Sequence, residues 1–217
     1  MFETTRLLIL DLDGTIANTL SALQEAVNAT LSIYGWPEKT IEDVRLAIGN
    51  GARLLIARSM PKDKSSDEAL VSAVLAEYNR QYGLTYMHTR ECYPKMKETL
   101  QTLKQKGLIL AVLSNKQDLY TKELIDQLLG TLPSFVIGQT NLPKKPDPTV
   151  PLMIASKFGV SPQDTVMIGD SDVDIRTGHN AGMKTIGCAW GFRGYDCLKE
   201  AGADIILEKP QDLLTVF

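Results

Sequence analysis

Cysteine and histidine are scarce in this chain. Its 217 residues hold three cysteines and two histidines. Cys92, Cys188 and Cys197 are odd in number and show no Cys-x-x-Cys spacing beside a histidine, which speaks against a disulfide framework and against a zinc site. Cys188, within Thr185-Ile186-Gly187-Cys188-Ala189, reads as a small buried hydrophobe. His88 and His179 give too little material for a Ser-His-Asp or Cys-His centre. Long apolar runs are also missing: none approaches the roughly eighteen residues that cross a bilayer. Met1 to Arg6 lead straight into an apolar strand rather than a signal peptide, so a cytoplasmic protein is expected. Excess positive charge is missing too. With 23 basic against 26 acidic side chains, the net charge of -3 leaves no footprint for nucleic acid or an anionic membrane. Chemistry, if present, rests on carboxylates, a hydroxyl and a lysine.

The stretch that answers this description is Leu7-Leu8-Ile9-Leu10-Asp11-Leu12-Asp13-Gly14-Thr15. Four apolar residues followed by two acids and a glycine read as a buried strand ending in a charged turn. Leu12 separates the acids, so persisting strand geometry points both carboxylates the same way, and Gly14 lets the backbone leave sharply. Two acids in one small site need a cation or a shared proton, and magnesium is the common solution where oxygen ligands meet phosphate. A lone Asp-x-Asp is equally compatible with a strand that exits through a polar turn.

After Thr15 the periodicity turns helical. Leu20, Leu23, Val27, Leu31 and Tyr34 predict a first helix, residues 41–48 and 52–60 two shorter ones, and Val71, Val74, Leu75, Tyr78 and Tyr82 a fourth that stops at Gly83, with Ser65 and Ser66 available to cap it. Residues 17–87 thus form an all-helical insert. From Tyr93 strands and helices alternate. Strands are predicted at 108–113, 135–138, 165–169, 184–188 and 204–207, with helices at 94–106, 119–129 and about 152–158 and another reaching Ala181; Gly107 is placed to end the first of these. The fold class is α/β: a doubly wound, Rossmann-like parallel sheet, residues 1–16 and 88–217, carrying the inserted helical domain.

Such sheets bind ligands beyond the carboxyl ends of their strands. Asp11, Asp13, Ser114 and Asp170 each follow the last apolar residue of a strand, so the fold brings them to one rim. Suppose the substrate at that rim is a phosphate monoester. Asp11, at the rigid strand end, is the candidate nucleophile, and Asp13 the acid that protonates the leaving oxygen and then deprotonates water. Asp11 and Asp170 would hold the metal together with the backbone carbonyl of Asp13, with Asp174 one helical turn further on in support. Lys145 would act as a point charge on the phosphoryl oxygens and Ser114 as a hydrogen-bond donor. Lys144 adjoins Lys145, and only the Pro146-x-Pro148 register prefers the latter.

Asp11-x-Asp13-Gly14-Thr15, Ser114, Lys145-Pro146-x-Pro148 and Gly169-Asp170-x-x-x-Asp174, in that order, resemble the four motifs of the haloacid dehalogenase-like hydrolase superfamily. The insert resembles that superfamily's small helical cap. Within it, Ile48-Gly49-Asn50-Gly51-Ala52, the stretch Tyr93-Pro94 to Leu103 and Ser114-Asn115-Lys116 resemble phosphoglycolate phosphatases, which usually have Thr-Asn-Lys at the last of these. The resemblance implies a Mg2+-dependent phosphatase acting on a small phosphorylated metabolite through an aspartyl-phosphate. It adds Thr15, Asn115, Gly49, Asn50, Gly51 and Arg53 as substrate contacts. Gly49-Asn50-Gly51 serves equally as a turn between helices, and Arg53 as a solvated residue at a helix start. A sugar phosphomutase or pyrophosphatase would share the motifs. A non-catalytic module on this fold would be expected to lose a carboxylate or the lysine, and none is missing.

Overall fold

Leu7 to Leu10 are apolar on both alternating faces and bounded by Arg6 and Asp11, and they form the strand from which the sheet is built. The computed structural model describes residues 2–48, 51–89 and 91–217. Along the chain run β1 (Leu7–Leu10), α1 (Leu20–Ile33), α2 (Ile41–Ala47), α3 (Ala52–Ser59), α4 (Glu68–Thr85), α5 (Met96–Gln105), β2 (Ile109–Gln117) and α6 (Asp118–Leu129). There follow β3 (Phe135–Gln139), α7 (Thr149–Lys157), β4 (Thr165–Gly169), α8 (Asp172–Asn180), β5 (Lys184–Cys188), α9 (Gly194–Glu200), β6 (Ile205–Leu207) and α10 (Leu213–Val216). They fall into two compact units, Met1–Asn18 with Glu91–Phe217, and Thr19–Arg90.

The first unit is a six-stranded sheet in the order β3-β2-β1-β4-β5-β6. Every neighbouring pair is parallel. This is the doubly wound order, with its switch point between β1 and β4. Side chains alternate across β1 as the pleat requires. Leu8 and Leu10 enter a core with Met96, Leu100, Leu103, Leu124 and Ile125, while Leu7 and Ile9 meet Ile154, Ala155 and Met167 on the other face. Because both faces are covered, the strand is apolar throughout. The α/β sheet matches the expectation from sequence, with two differences. β2 runs on to Gln117, through a register shift against β3 beyond Leu113, and α9 and α10 had no clear signal.

The second unit holds α1 to α4 and, among its described residues, no strand. Leu20, Leu23, Val27 and Leu31 form the buried face of α1. α2 begins in a capping box: the Asp43 N–H donates to Thr40 Oγ1 at 3.1 Å and the Thr40 N–H to Asp43 Oδ2 at 2.9 Å. The expected serine cap of α4 is corrected to Asp67, whose Oδ1 accepts from the N–H groups of Ala69 and Leu70 at 3.0 Å each. Ser65 is held in the preceding turn, its N–H bonded to the Pro61 carbonyl. α4 also continues past Gly83 to Thr85. Tyr78 and Tyr82 stack at 5.7 Å between ring centroids and Tyr86 follows at 6.1 Å, a packed ladder that outweighs the roughly 1 kcal/mol cost of a helical glycine. No helix among the described residues is long and apolar enough to cross a membrane.

Candidate active site

β1 and β4 are paired from Leu7↔Thr165 to Leu10↔Ile168, and the Asp11 N–H continues the ladder by donating to the Ile168 carbonyl at 2.9 Å. That register puts Asp11 opposite Gly169, with Asp170 one residue further along, so the two acids leave their strands at the same rim of the switch point. Asp174 joins them from the first turn of α8. Its Oδ2 accepts from the Ser171 N–H at 3.1 Å and the Ser171 hydroxyl at 2.6 Å. Gly169 makes room for it, since a Cβ there would lie 2.2 Å from Asp174 Cγ. Oxygens of the three carboxylates come within 4.8 Å of one another, and all three residues are buried. Lys145 reaches in between them, its Nζ 2.9 Å from Asp11 Oδ1 and 2.6 Å from Asp174 Oδ1.

Three buried carboxylates thus share one ammonium. Burial pushes Asp11 up to about 7 against the pull of Lys145, and Asp174 and Asp13 add to the rise. Burial likewise raises Asp170 well above the carboxylate range, reinforced by Asp174 and Asp11. Burial works against the charge on Lys145 as well, but Asp11 and Asp174 more than offset it and the ammonium is held charged above its usual range. The cluster is an all-oxygen donor set in which three acids share one ammonium, so they ionise together only with further positive charge. Those properties suit a hard divalent cation.

Asp13 takes a different partner. Its Oδ1 lies 2.6 Å from the Nζ of Lys116, so the two acids of Asp-x-Asp are divided between two lysines. Ser114 is buried on the same strand end, its Oγ accepting from the Lys116 N–H at 3.3 Å. Asn115, expected to meet substrate, has its amide on the Lys145 main chain: Oδ1 accepts from the Lys145 N–H at 2.9 Å and Nδ2 donates to the Lys145 carbonyl at 3.1 Å. Of the adjacent lysines, Lys145 enters the cluster and Lys144 is exposed. Thr15, also expected at substrate, is fully buried, and its carbonyl accepts the Trp190 indole N–H at 3.0 Å.

In the helical unit Gly51 precedes α3 with φ of 88°. Arg53, expected to reach a substrate carboxylate, is tied to α4, where it pairs with Glu68 and donates to Ser72 Oγ at 3.1 Å. Gly49 and Asn50 lie outside the described residues.

Sequence reading missed two contributors. Lys116 was visible only as part of Ser114-Asn115-Lys116. The second is the loop after β5. The Phe192 N–H donates to Asp170 Oδ2 at 2.7 Å, and a Cβ on Gly191 would lie 2.2 Å from Asp170 Cβ and 2.4 Å from the Gly14 carbonyl oxygen. Asp170 is thus seated against bare backbone on two sides. Gly191→Ala is expected to displace it and to weaken divalent-cation binding about 10- to 100-fold, the usual cost of disturbing a ligand's support. Titration calorimetry with Mn2+ checks this, and unchanged affinity would show that the seat is not tight.

The chain is similar to known proteins over most of its length. The family model described as haloacid dehalogenase-like hydrolase matches residues 8–188. A phosphoglycolate phosphatase of Haemophilus influenzae is 34% identical over 97% of this chain and 97% of its own length. Phosphoglycolate phosphatase 1 of Pseudomonas aeruginosa is 33% identical over 96% of this chain and 78% of the relative. A crystal structure of a predicted phosphoglycolate phosphatase from Haemophilus somnus superposes with a TM-score of 0.87 at 30% identity, covering 100% of this chain and 99% of that one. A match to residues 8–188 runs from β1 to the end of β5 and so takes in every carboxylate of the cluster; the chain belongs to the haloacid dehalogenase-like hydrolase family.

Proposed function

We propose that the protein is a magnesium-dependent phosphatase of small phosphomonoesters, with phosphoglycolate as its substrate and the cytoplasm as its place of action. The observation that carries this reading is the buried Asp11–Asp170–Asp174 cluster around Lys145, at the strand ends where such sheets bind ligands. The names of the Haemophilus and Pseudomonas relatives support the substrate. Three free cysteines accord with a reducing compartment.

In this reading an Asp11 carboxylate oxygen attacks phosphorus. As the new O–P bond forms, the ester P–O bond breaks and the leaving oxygen takes a proton from Asp13. Asp13, now a carboxylate, removes a proton from water, whose oxygen attacks the aspartyl-phosphate and releases inorganic phosphate and free Asp11. Lys145 offsets negative charge on Asp11 and the phosphoryl oxygens, and the Ser114 hydroxyl donates to the latter. Asp11, Asp170 and the Asp13 carbonyl would hold a Mg2+ ion, with Asp174 in support, and the ion supplies Lewis-acid charge to the transferring group. Segments 1–16 and 88–217 are the catalytic core in this reading, and the helices of 17–87 are a cap that selects the substrate.

The test is phosphate release from a panel of small phosphomonoesters, with Mg2+ and with EDTA. A preference for phosphoglycolate that EDTA abolishes is the expected result. Activity spread evenly over the panel would remove phosphoglycolate as the substrate, and no release from any member would remove the phosphatase.

A further inference from the structure

The end of β2 supplies three consecutive side chains to three different parts of the site: Ser114 at the rim, Asn115 on the Lys145 main chain, and Lys116 on Asp13. The Lys116 side chain is only 4% exposed. A buried ammonium costs several kcal/mol in lost hydration unless a well-placed oxygen acceptor answers it, and the acceptor here is Asp13 Oδ1, which leaves the other carboxyl oxygen to carry the proton of the proposed reaction. The backbone that carries Lys116 is itself pinned. Its carbonyl accepts from the Thr121 hydroxyl at 3.2 Å, and Gly138 of β3 packs so closely that a Cβ there would lie 2.5 Å from the same carbonyl oxygen. The ammonium is therefore presented from a fixed point.

We infer that Lys116 is a positioning residue for Asp13. It draws the Asp13 carboxyl group away from the Asp11–Asp170–Asp174 cluster and aims it at the leaving-group oxygen. Lys116 donates no proton and touches no reacting atom; the proton passes from Asp13 to the leaving oxygen as the P–O bond breaks. The inference rests on the reading of Asp13 as the acid given under Proposed function.

The need for a placed acid grows with the basicity of the leaving oxygen. An alkoxide needs the proton, whereas p-nitrophenolate departs without it. The ratio kcat/KM covers every step through departure of the leaving group, so it separates positioning from general damage. With Mg2+ present, Lys116→Met is expected to lose about 100-fold in kcat/KM on an alkyl phosphate, and less than about 5-fold on p-nitrophenyl phosphate. Lys116→Arg, which restores the charge, is expected to recover most of the alkyl activity. Should Lys116→Met not fold, Lys116→Gln carries the same comparison with a smaller split. Equal loss on both substrates, or loss on neither, overturns the inference. Asp13→Asn is run alongside. If it too loses both substrates equally, the acid reading of Asp13 falls and takes the inference with it; if it discriminates and Lys116→Met does not, only the role of Lys116 falls.

Discussion

Asp11→Asn is expected to lose at least about 10⁴-fold of the magnesium-dependent phosphate release while keeping its fold, because an amide oxygen cannot form the aspartyl-phosphate. Retention of more than a few per cent of wild-type activity would remove Asp11 as the nucleophile. The same substitution has a readable effect on stability. In the cation-free protein, burial and the neighbouring Asp174 and Asp13 raise Asp11 from its ordinary 3.8 to about 7 despite Lys145. Below about pH 4 the group is protonated in both folded and unfolded chains and costs nothing. Between there and about 7 the folded chain binds more protons than the unfolded one, so stability falls as pH rises, and above 7 the full penalty is present. Asn carries no charge at any pH. Melting curves in EDTA at pH 5 and pH 8 are therefore expected to show a smaller drop for Asp11→Asn than for wild type, and the variant is the more stable of the two at pH 8. Mg2+ narrows that gap by supplying the missing positive charge.

What could be read from the sequence was whatever local pattern determines. Leu7-Leu8-Ile9-Leu10 followed by Asp11 marks a buried strand and its end together, and Val166-Met167-Ile168-Gly169 followed by Asp170 does the same for β4. Once parallel pairing in that register is granted, the two acids come to one rim. The preference for Lys145 over Lys144 came from proline register alone, and burial agrees with it. What stayed hidden depends on partners far away in the chain. Asn115 is an amide that suits substrate or backbone equally well, and its pairing with the Lys145 main chain depends on the approach of a residue 30 positions away. The Lys116–Asp13 pair joins positions 103 residues apart. The donor that holds Asp170 is the backbone N–H of Phe192, which leaves no side-chain signature, and Gly191 reads as one more loop glycine until the carboxylate is placed against it. Local rules also failed where packing overrode them, as at Gly83 inside α4, where the tyrosine ladder sets the helix end.

Lys145→Met is expected to cost about 3–5 kcal/mol of stability in EDTA, the scale of removing one partner from a buried ion pair. Lysine and methionine have stems of similar length, so packing is largely kept and the loss isolates the charge. Nζ lies 2.9 Å from Asp11 and 2.6 Å from Asp174, and the rise in the Lys145 pKa comes from those same two carboxylates. Without the ammonium they face each other and Asp170 with no counter-charge. The neighbouring substitution is the control: Lys144 is exposed, and Lys144→Met is expected to change stability by no more than about 0.5 kcal/mol. A second consequence follows from the sign of the charge. Removing a positive group from the cluster makes it more negative, so a divalent cation has more to offset, and Mg2+ is expected to raise the melting temperature of Lys145→Met by more than it raises that of wild type. Activity does not return with that stability, because the cation cannot also occupy the place where the ammonium meets Asp11 and the phosphoryl oxygens. Denaturant titrations of the two lysine variants with and without Mg2+ measure all of this in one series. If Lys145→Met proved as stable in EDTA as Lys144→Met, the buried carboxylates would not be relying on Lys145 for their counter-charge, and its place in the site would have to be argued from substrate contact alone.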